Sequence, residues 1–569
     1  MQSVRLLAPL LALTMSYVPV GPLLAKEPVS AKHGMVVAQE PIAAGVGLAV
    51  LKQGGNAVDA AVAIGFALAV THPSAGNIGG GGFMLIRQAD GRTAFLDFRE
   101  AAPGKATRDM YLGPDGEPTH DSITGWRSSG IPGSVAGFEF AREKFGTKPW
   151  DALLQPAVKL ARDGFPVSPS LAASLNSSDD NRLRTDPTSK RIFLRNGDPY
   201  QPGQTIKQPD LTKTLERIAQ NGAKEFYQGE TAHKFAAAMA AHGGLITLAD
   251  LKSYKVVERK PLEGNYKGYH VITAPPPSAG GIGLLQMMGM LARTDYQSAG
   301  ADSVKAIHYE AEVMRRFYAD RSEYLGDPAF YNVPVKALLA PSYIAERARS
   351  IDPSRATPSD MIGPGLPKAY EASISWRESN QTTHYNVVDK DGNAAAVTYT
   401  LNGSFGNGIT VPGLGFLLNN EMDDFVAKPG SPNMFGMVGG DANSIEPGKR
   451  PVSSMTPTII TKDGKLFMAV GAPGGSRITT GVMQVILDVL DFGMNPQGAV
   501  DLPRFHQQWK PDYLYLEKGF STQTRDALKK MGYELKPIDS VARVEAIVDK
   551  NGTLEGGTES KLHGKVAGY

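Results

Sequence analysis

The chain has no cysteine in 569 residues. That excludes disulfides, thiolate metal sites and a cysteine nucleophile together. It also suits an oxidising compartment, where a stray thiol is a liability. Charge of one sign is equally scarce: 59 Lys/Arg stand against 57 Asp/Glu. Without a basic surplus, nucleic acid is not expected as a partner. Long apolar runs are missing except at the start, where LLAPLLALTMSYVPVGPLLA follows Arg5. A positive start and a short apolar core read as a secretory signal over 1–25, with cleavage expected after Ala25. Leu23 is large where a small residue is expected, so an anchor is the competing reading; Pro19 and Pro22 speak against a spanning helix. A periplasmic or secreted protein is expected.

What is present is a soluble globular composition, 42% hydrophobic and 20% charged. Residues 41–71 are Ala-rich with helical spacing and a Gly-Gly-Asn break, which predicts two closely packed helices. FMLIRQ and TAFLDFRE flank an ADG turn and predict a hairpin. The four glycines at 79–82 lack a following Gly-Lys-Ser/Thr, so they are not a phosphate loop. Residues 131–350 read as mainly helical, with apolar stripes that stop at Gly or Pro. Residues 352–380 carry four prolines and read as an exposed, extended linker. From 383 the pattern becomes strand, turn, strand.

The switch falls between Gln381 and Thr382, in SNQTTHYNVV. If that bond were cut, Thr382 would become a new N-terminus. Its hydroxyl would be a nucleophile and its freed α-amine the general base. An α-amine titrates near roughly 7.7–8.0, close to the working range of such a base. A bare Thr-Thr-His is more often only a strand start, so the rest of the chain decides.

The run TTHYNVVDKDGNAAAVTYTLNGSFG resembles the signature of γ-glutamyltransferases (γ-glutamyl transpeptidases), a family of N-terminal-nucleophile hydrolases. THPSAGNIGGGGFM, LDFREAAP, LLNNEMDDF, KRPVSSMTPTI, VGAPGGSRI and the closing AGY extend the likeness over nearly the whole mature chain. The resemblance implies an α+β fold, a four-layer αββα sandwich. It implies a large subunit, 26–381, and a small catalytic subunit, 382–569, that stay together as a heterodimer after autocatalytic cleavage of Gln381–Thr382. Thr382 matches the nucleophile and Thr400 the hydroxyl that helps activate it. Gly474 and Gly475 match the backbone donors of the oxyanion hole. Arg99 matches the grip on the substrate α-carboxylate, with Ser453 and Ser454 as further donors. Asn402, Glu421 and Asp424 match the groups that hold the α-ammonium. One cation, two anions and two amides are what an α-amino acid with a carbonyl further out requires.

Each residue has a plainer reading taken alone. Arg99 could form a surface ion pair, Asp423–Asp424 a solvated turn, and the glycines a strand-to-helix corner. Their joint occurrence favours function. The implied reaction is γ-glutamyl transfer from glutathione and related donors to water, amino acids or peptides, with no metal or organic cofactor. The alternatives are a cephalosporin or glutaryl acylase of the same fold and a processed, non-catalytic scaffold.

Three departures from the family pattern stand out. Asn386 replaces the usual Ser or Thr and Ala395 the usual Val, with effects expected on packing. The C-terminal segment lacks Asp-Pro-Arg; Lys561 is the candidate substitute for its arginine, without the bidentate fork. Residues 425–440, FVAKPGSPNMFGMVGG, resemble a mobile lid, with Phe435 as its aromatic. A lid favours small γ-glutamyl substrates over bulky poly-γ-glutamate.

Overall fold

The structure, a computed structural model, describes residues 26–177, 182–366, 382–561 and 563–569. Two seven-stranded antiparallel sheets are stacked between helical layers. This is the expected αββα sandwich. One sheet runs, edge to edge, Lys565–Gly568, Met35–Ala38, Thr383–Val388, Ala394–Thr400, Gly81–Arg87, Thr93–Phe98 and Val257–Arg259. The second runs Val29–Ala31, Thr553–Thr558, Glu545–Lys550, Lys465–Gly471, Thr458–Lys462, Tyr269–Thr273 and Leu262–Tyr266.

Alternation along the strands decides what each face meets. In the first sheet Tyr385, Val387, Ala395, Val397 and Tyr399 pack with the helices Pro41–Lys52, Ala57–Thr71 and Trp150–Asp163. Val388, Ala394 and Ala396 face the other way, into the core shared with Met468, Val470 and Ala546 of the second sheet. The helices Gly280–Leu291, Val304–Tyr324 and Ile478–Leu490 join that core.

Both predicted Ala-rich helices form, and the Gly-Gly-Asn break works as expected. Asn56 caps Ala57–Thr71 through a capping box with Asp59. The hairpin Gly81–Arg87/Thr93–Phe98 is also observed. Within the stretch read as helical, the strands Val257–Arg259, Leu262–Tyr266 and Tyr269–Thr273 are additions. Val257–Arg259 and Leu262–Tyr266 each end a sheet, and Leu262–Asn265 alternates half-buried with exposed positions. Charged residues on an edge strand hide its signal.

The expectation of an exposed linker needs correction over its described half. Residues 352–366 lack regular structure apart from a short turn, but Ser359 and Ile362 are buried. Thr357 Oγ1 donates to Glu312 Oε2 (2.7 Å), and Trp509 Nε1 donates to the Ile362 carbonyl (2.8 Å). The remainder of the linker, with Gln381, lies outside the described residues, as does the expected signal segment. Lys561 does not stand in for the missing arginine: it is exposed and makes no hydrogen bond or ion pair among the described residues. The C-terminus is held by backbone instead. Lys565–Gly568 pairs with Met35–Ala38, and the Tyr569 carbonyl accepts from His33 N–H (2.7 Å). No helix among the described residues is long and apolar enough to cross a membrane.

Candidate functional site

Thr382 sits one residue before the strand Thr383–Val388. The antiparallel register pairs Thr383 with Tyr399 and His384 with Thr398, so Thr382 falls opposite Thr400. Both belong to the alternation that faces the second sheet. Thr382 Oγ1 donates to Thr400 Oγ1 at 3.4 Å, long for a hydroxyl pair. Thr400 Oγ1 also accepts from the Asn402 N–H (2.9 Å). Asn402 has a positive φ of 71°, a conformation that Asn tolerates better than most residues. Its side chain donates to the Asn420 carbonyl (3.0 Å), one residue before Glu421.

His384 fixes this strand over the second sheet. Its ring packs on Gly471, where a Cβ would fall 2.2 Å from the imidazole. Burial pushes the His384 pKa down to about 3, so the ring is neutral and serves as packing. Asn386 does more than pack: its Nδ2 donates to the Glu545 carbonyl (2.8 Å) and ties the two sheets together. Ala395 lies in the opposite, helix-facing core, as a packing role requires. Gly471 ends a strand that leads within four residues to Gly474 and Gly475. These have φ of 147° and 57°, and a Cβ on Gly474 would stand 2.9 Å from the Val541 carbonyl. Only glycine makes this corner without strain. The corner opens into the helix Ile478–Leu490, so its amides lie at a helix N-terminal turn, where negative charge is favoured.

The third part of the site is a buried charge cluster. Arg99, 1% exposed, is no surface residue. It forms ion pairs with Glu421 and Asp424, the latter at 2.5 Å, and Glu100 lies 3.7 Å away. Its Nε and Nη2 also approach the carbonyls of Pro451 and Val452 at 3.4 Å. Burial works to lower the Arg99 pKa, but Glu421, Asp424 and Glu100 together hold it above its ordinary value. For Glu421 burial wins over Arg99 and holds the carboxyl well above the usual range. For Glu100 burial pushes the carboxyl up to about 7 despite Arg99. One cation among three carboxylates leaves room for a proton on the acidic side. Sequence reasoning assigned Glu421 and Asp424 to a cation brought by the substrate. In the structure both carboxylates pair with Arg99. Glu100 was missed, although it directly follows Arg99.

Ser453 and Ser454 follow the two carbonyls that approach Arg99. Both are buried; Ser453 Oγ accepts from Met455 N–H (3.1 Å), and the Ser454 carbonyl accepts from Thr479 Oγ1 (3.3 Å) on the helix behind the glycine corner. The expected lid, 425–440, is irregular and folds over the cluster. Asn433 Nδ2 donates to Asp424 Oδ1 (3.2 Å), and Met434 N–H donates to Asp423 Oδ2 (2.9 Å). Met434 Sδ lies 3.7 Å from Asn402 Nδ2, and Phe435 is buried. Asp423 is therefore no solvated turn, and burial raises its pKa to about 6. Asp424, Asn433 and Met434 also line a cleft of about 1380 Å³, which Arg99, Glu421, Thr382 and Thr400 do not line. Asp424 is shared between the cleft and the cluster. No group of three or more metal-ligating side chains is found among the described residues.

A family model described as gamma-glutamyltranspeptidase matches residues 43–569. The chain belongs to the γ-glutamyltranspeptidase family. It is 51% identical over 523 residues to a glutathione hydrolase proenzyme of Escherichia coli K12, covering 91% of this chain and 89% of that protein. Among solved structures, a cephalosporin acylase from Bacillus halodurans superposes with a TM-score of 0.84 at 29% identity, covering 96% and 97%. A Helicobacter pylori γ-glutamyltranspeptidase chain matches at 43% identity with a TM-score of 0.57, covering 63% of this chain and all of its own. As a γ-glutamyltranspeptidase the chain is an enzyme, and its acylase neighbour shares the fold at lower identity.

The buried cluster generates a pH prediction. A carboxyl whose pKa is raised on folding holds its proton more tightly in the fold. It therefore supports the fold at low pH, and that support is lost as pH rises through the folded value. For Glu100 the loss falls between its ordinary range and about 7. Gln cannot ionise, so the stability of Glu100→Gln relative to wild type should rise between pH 5 and pH 8 by at least about 1 kcal/mol, roughly one pKa unit's worth. Denaturant midpoints at both pH values check this. A difference that stays flat or falls would show that Glu100 keeps an ordinary pKa.

Proposed function

We propose that this γ-glutamyltranspeptidase transfers the γ-glutamyl group of glutathione and related compounds to water, amino acids or peptides, through an ester on Thr382. The single observation that carries this reading is the buried Arg99–Glu421–Asp424 cluster beside a hydroxyl pair at the switch point of the chain. A guanidinium and two carboxylates offer counter-charges for both ends of an α-amino acid.

In this mechanism the bond between Gln381 and Thr382 is first cut autocatalytically, which gives large and small chains. The freed Thr382 amine takes the hydroxyl proton as Oγ1 attacks the γ-carbonyl carbon. Thr400 orients the hydroxyl. The Gly474 and Gly475 amides stabilise the oxyanion of the tetrahedral intermediate. The amide C–N bond breaks, and the amine returns its proton to the leaving nitrogen. Water or an acceptor amine then attacks the ester and regenerates Thr382. In substrate recognition Arg99 exchanges carboxylate partners: it takes the α-carboxylate, assisted by Ser453 and Ser454, while Glu421, Asp424 and Asn402 take the α-ammonium. The N-terminal segment supports a periplasmic or secreted location. The alternative is a glutaryl acylase, whose acyl group has no ammonium for Glu421 and Asp424 to bind.

Maturation is tested on a denaturing gel with N-terminal sequencing. Wild type should give two chains, the smaller beginning Thr-Thr-His-Tyr, and Thr382→Ala should remain at precursor size. Cleavage of that variant at the same bond would remove Thr382 as the processing nucleophile.

Substrate class is tested with paired γ-glutamyl and glutaryl anilides. Asp424→Asn should lower γ-glutamyl kcat/KM by about 2–5 kcal/mol, because it removes one charge from a buried set. It should spare or improve any glutaryl activity. Equal losses on both would make Asp424 a support of Arg99 and the fold rather than a reader of the ammonium.

A further inference from the structure

Arg321 lies on the long helix Val304–Tyr324 and lines the cleft. It is 9% exposed, yet among the described residues it makes no hydrogen bond and no ion pair, and its Nε is buried without a partner. A buried guanidinium without a counter-charge is costly, and proteins normally pair it. The acids beside it already have partners. Asp424 accepts from Arg99 and from Asn433. Asp423 accepts from Ser122 Oγ (2.7 Å) and from the Met434 N–H. Asp424 acts on Arg321 through space without bonding to it. The cation therefore faces the cleft next to the residue that the cleft shares with the charge cluster. Arg182 and Arg477 line the same cleft.

We infer that Arg321 receives a second substrate carboxylate, the terminal carboxylate of the peptide that leaves from a γ-glutamyl donor. The inference rests on the γ-glutamyl reading above. A γ-glutamyl group with its α-amino acid end at Asp424 fills only a small part of about 1380 Å³. The rest of the cleft extends to Arg477, two residues past Gly475 of the glycine corner, and leaves open space where a leaving peptide can lie. A guanidinium reads a carboxylate bidentately, and a carboxylate supplies the directly bonded partner that Arg321 lacks. Arg321 would thus separate γ-glutamyl peptides with a free C-terminus from γ-glutamyl amides without one.

The test compares glutathione with its glycyl carboxamide, which keeps the same γ-glutamyl group and loses only the terminal charge. Wild type should prefer the free acid by tenfold or more in kcat/KM. Arg321→Gln should erase that preference, and Arg321→Lys should restore part of it. A wild type without preference overturns the inference, whatever the variants do. So does an Arg321→Gln that loses equally on both compounds, since this places Arg321 on the shared γ-glutamyl part or in the fold. A wild type that turns over neither compound fails the γ-glutamyl reading itself, and the inference falls with it.

Discussion

The burial of one guanidinium among three carboxylates constrains everything around it. Arg99 is brought in at the end of the strand Thr93–Phe98, and Glu100 comes with it. Glu421 and Asp424 come from one short turn, and the Pro451 and Val452 carbonyls from the segment that ends in Ser453–Ser454. Stripping water from a single ion costs several kcal/mol, so removing any one of these partners leaves buried charge less well compensated. In the proposed mechanism a zwitterion enters by exchange, with its carboxylate replacing a protein carboxylate on Arg99 and its ammonium neutralising the carboxylates released.

The two sheets explain how such a site could survive a cut in the chain. Both sheets combine segments from before and after residue 382. Met35–Ala38 is sandwiched between Lys565–Gly568 and Thr383–Val388, while Ala394–Thr400 lies against Gly81–Arg87. Each segment alone would expose unpaired edges and half a core. The backbone pairing at Lys565–Gly568 makes a side-chain latch at Lys561 unnecessary. In this arrangement Thr382 lies at the head of an interior strand, opposite Thr400, with His384 and Asn386 holding that strand onto the second sheet.

Local chemistry was legible in the sequence where a residue's role follows from its neighbours. The Asp-Gly turn announces its hairpin, the Gly-Gly-Asn break its capped helix, and the polar-to-strand switch the position of Thr382. Roles set by distant partners were not legible. Glu100 reads as an ordinary acid beside an arginine; only burial against Glu421 and Asp424 makes it a strained third carboxylate. Arg321 reads as one more charge on an amphipathic helix, because nothing local shows that its partners are missing. The edge strands Val257–Arg259 and Leu262–Tyr266 alternate exposed polar with half-buried residues and carry too little apolar signal to stand apart from the helices around them. The resemblance placed Arg99, Glu421 and Asp424 at one site, but their mutual pairing came only with the fold.

The most direct test of this account is a crystal structure of the mature enzyme with a γ-glutamyl acyl group trapped on it. The account predicts the acyl carbon on Thr382 Oγ1, the ligand carboxylate on the Arg99 guanidinium, and the ligand ammonium between Glu421 and Asp424. An acyl group on another residue, or a ligand whose amino-acid end lies away from an Arg99 still bound to both carboxylates, would contradict it.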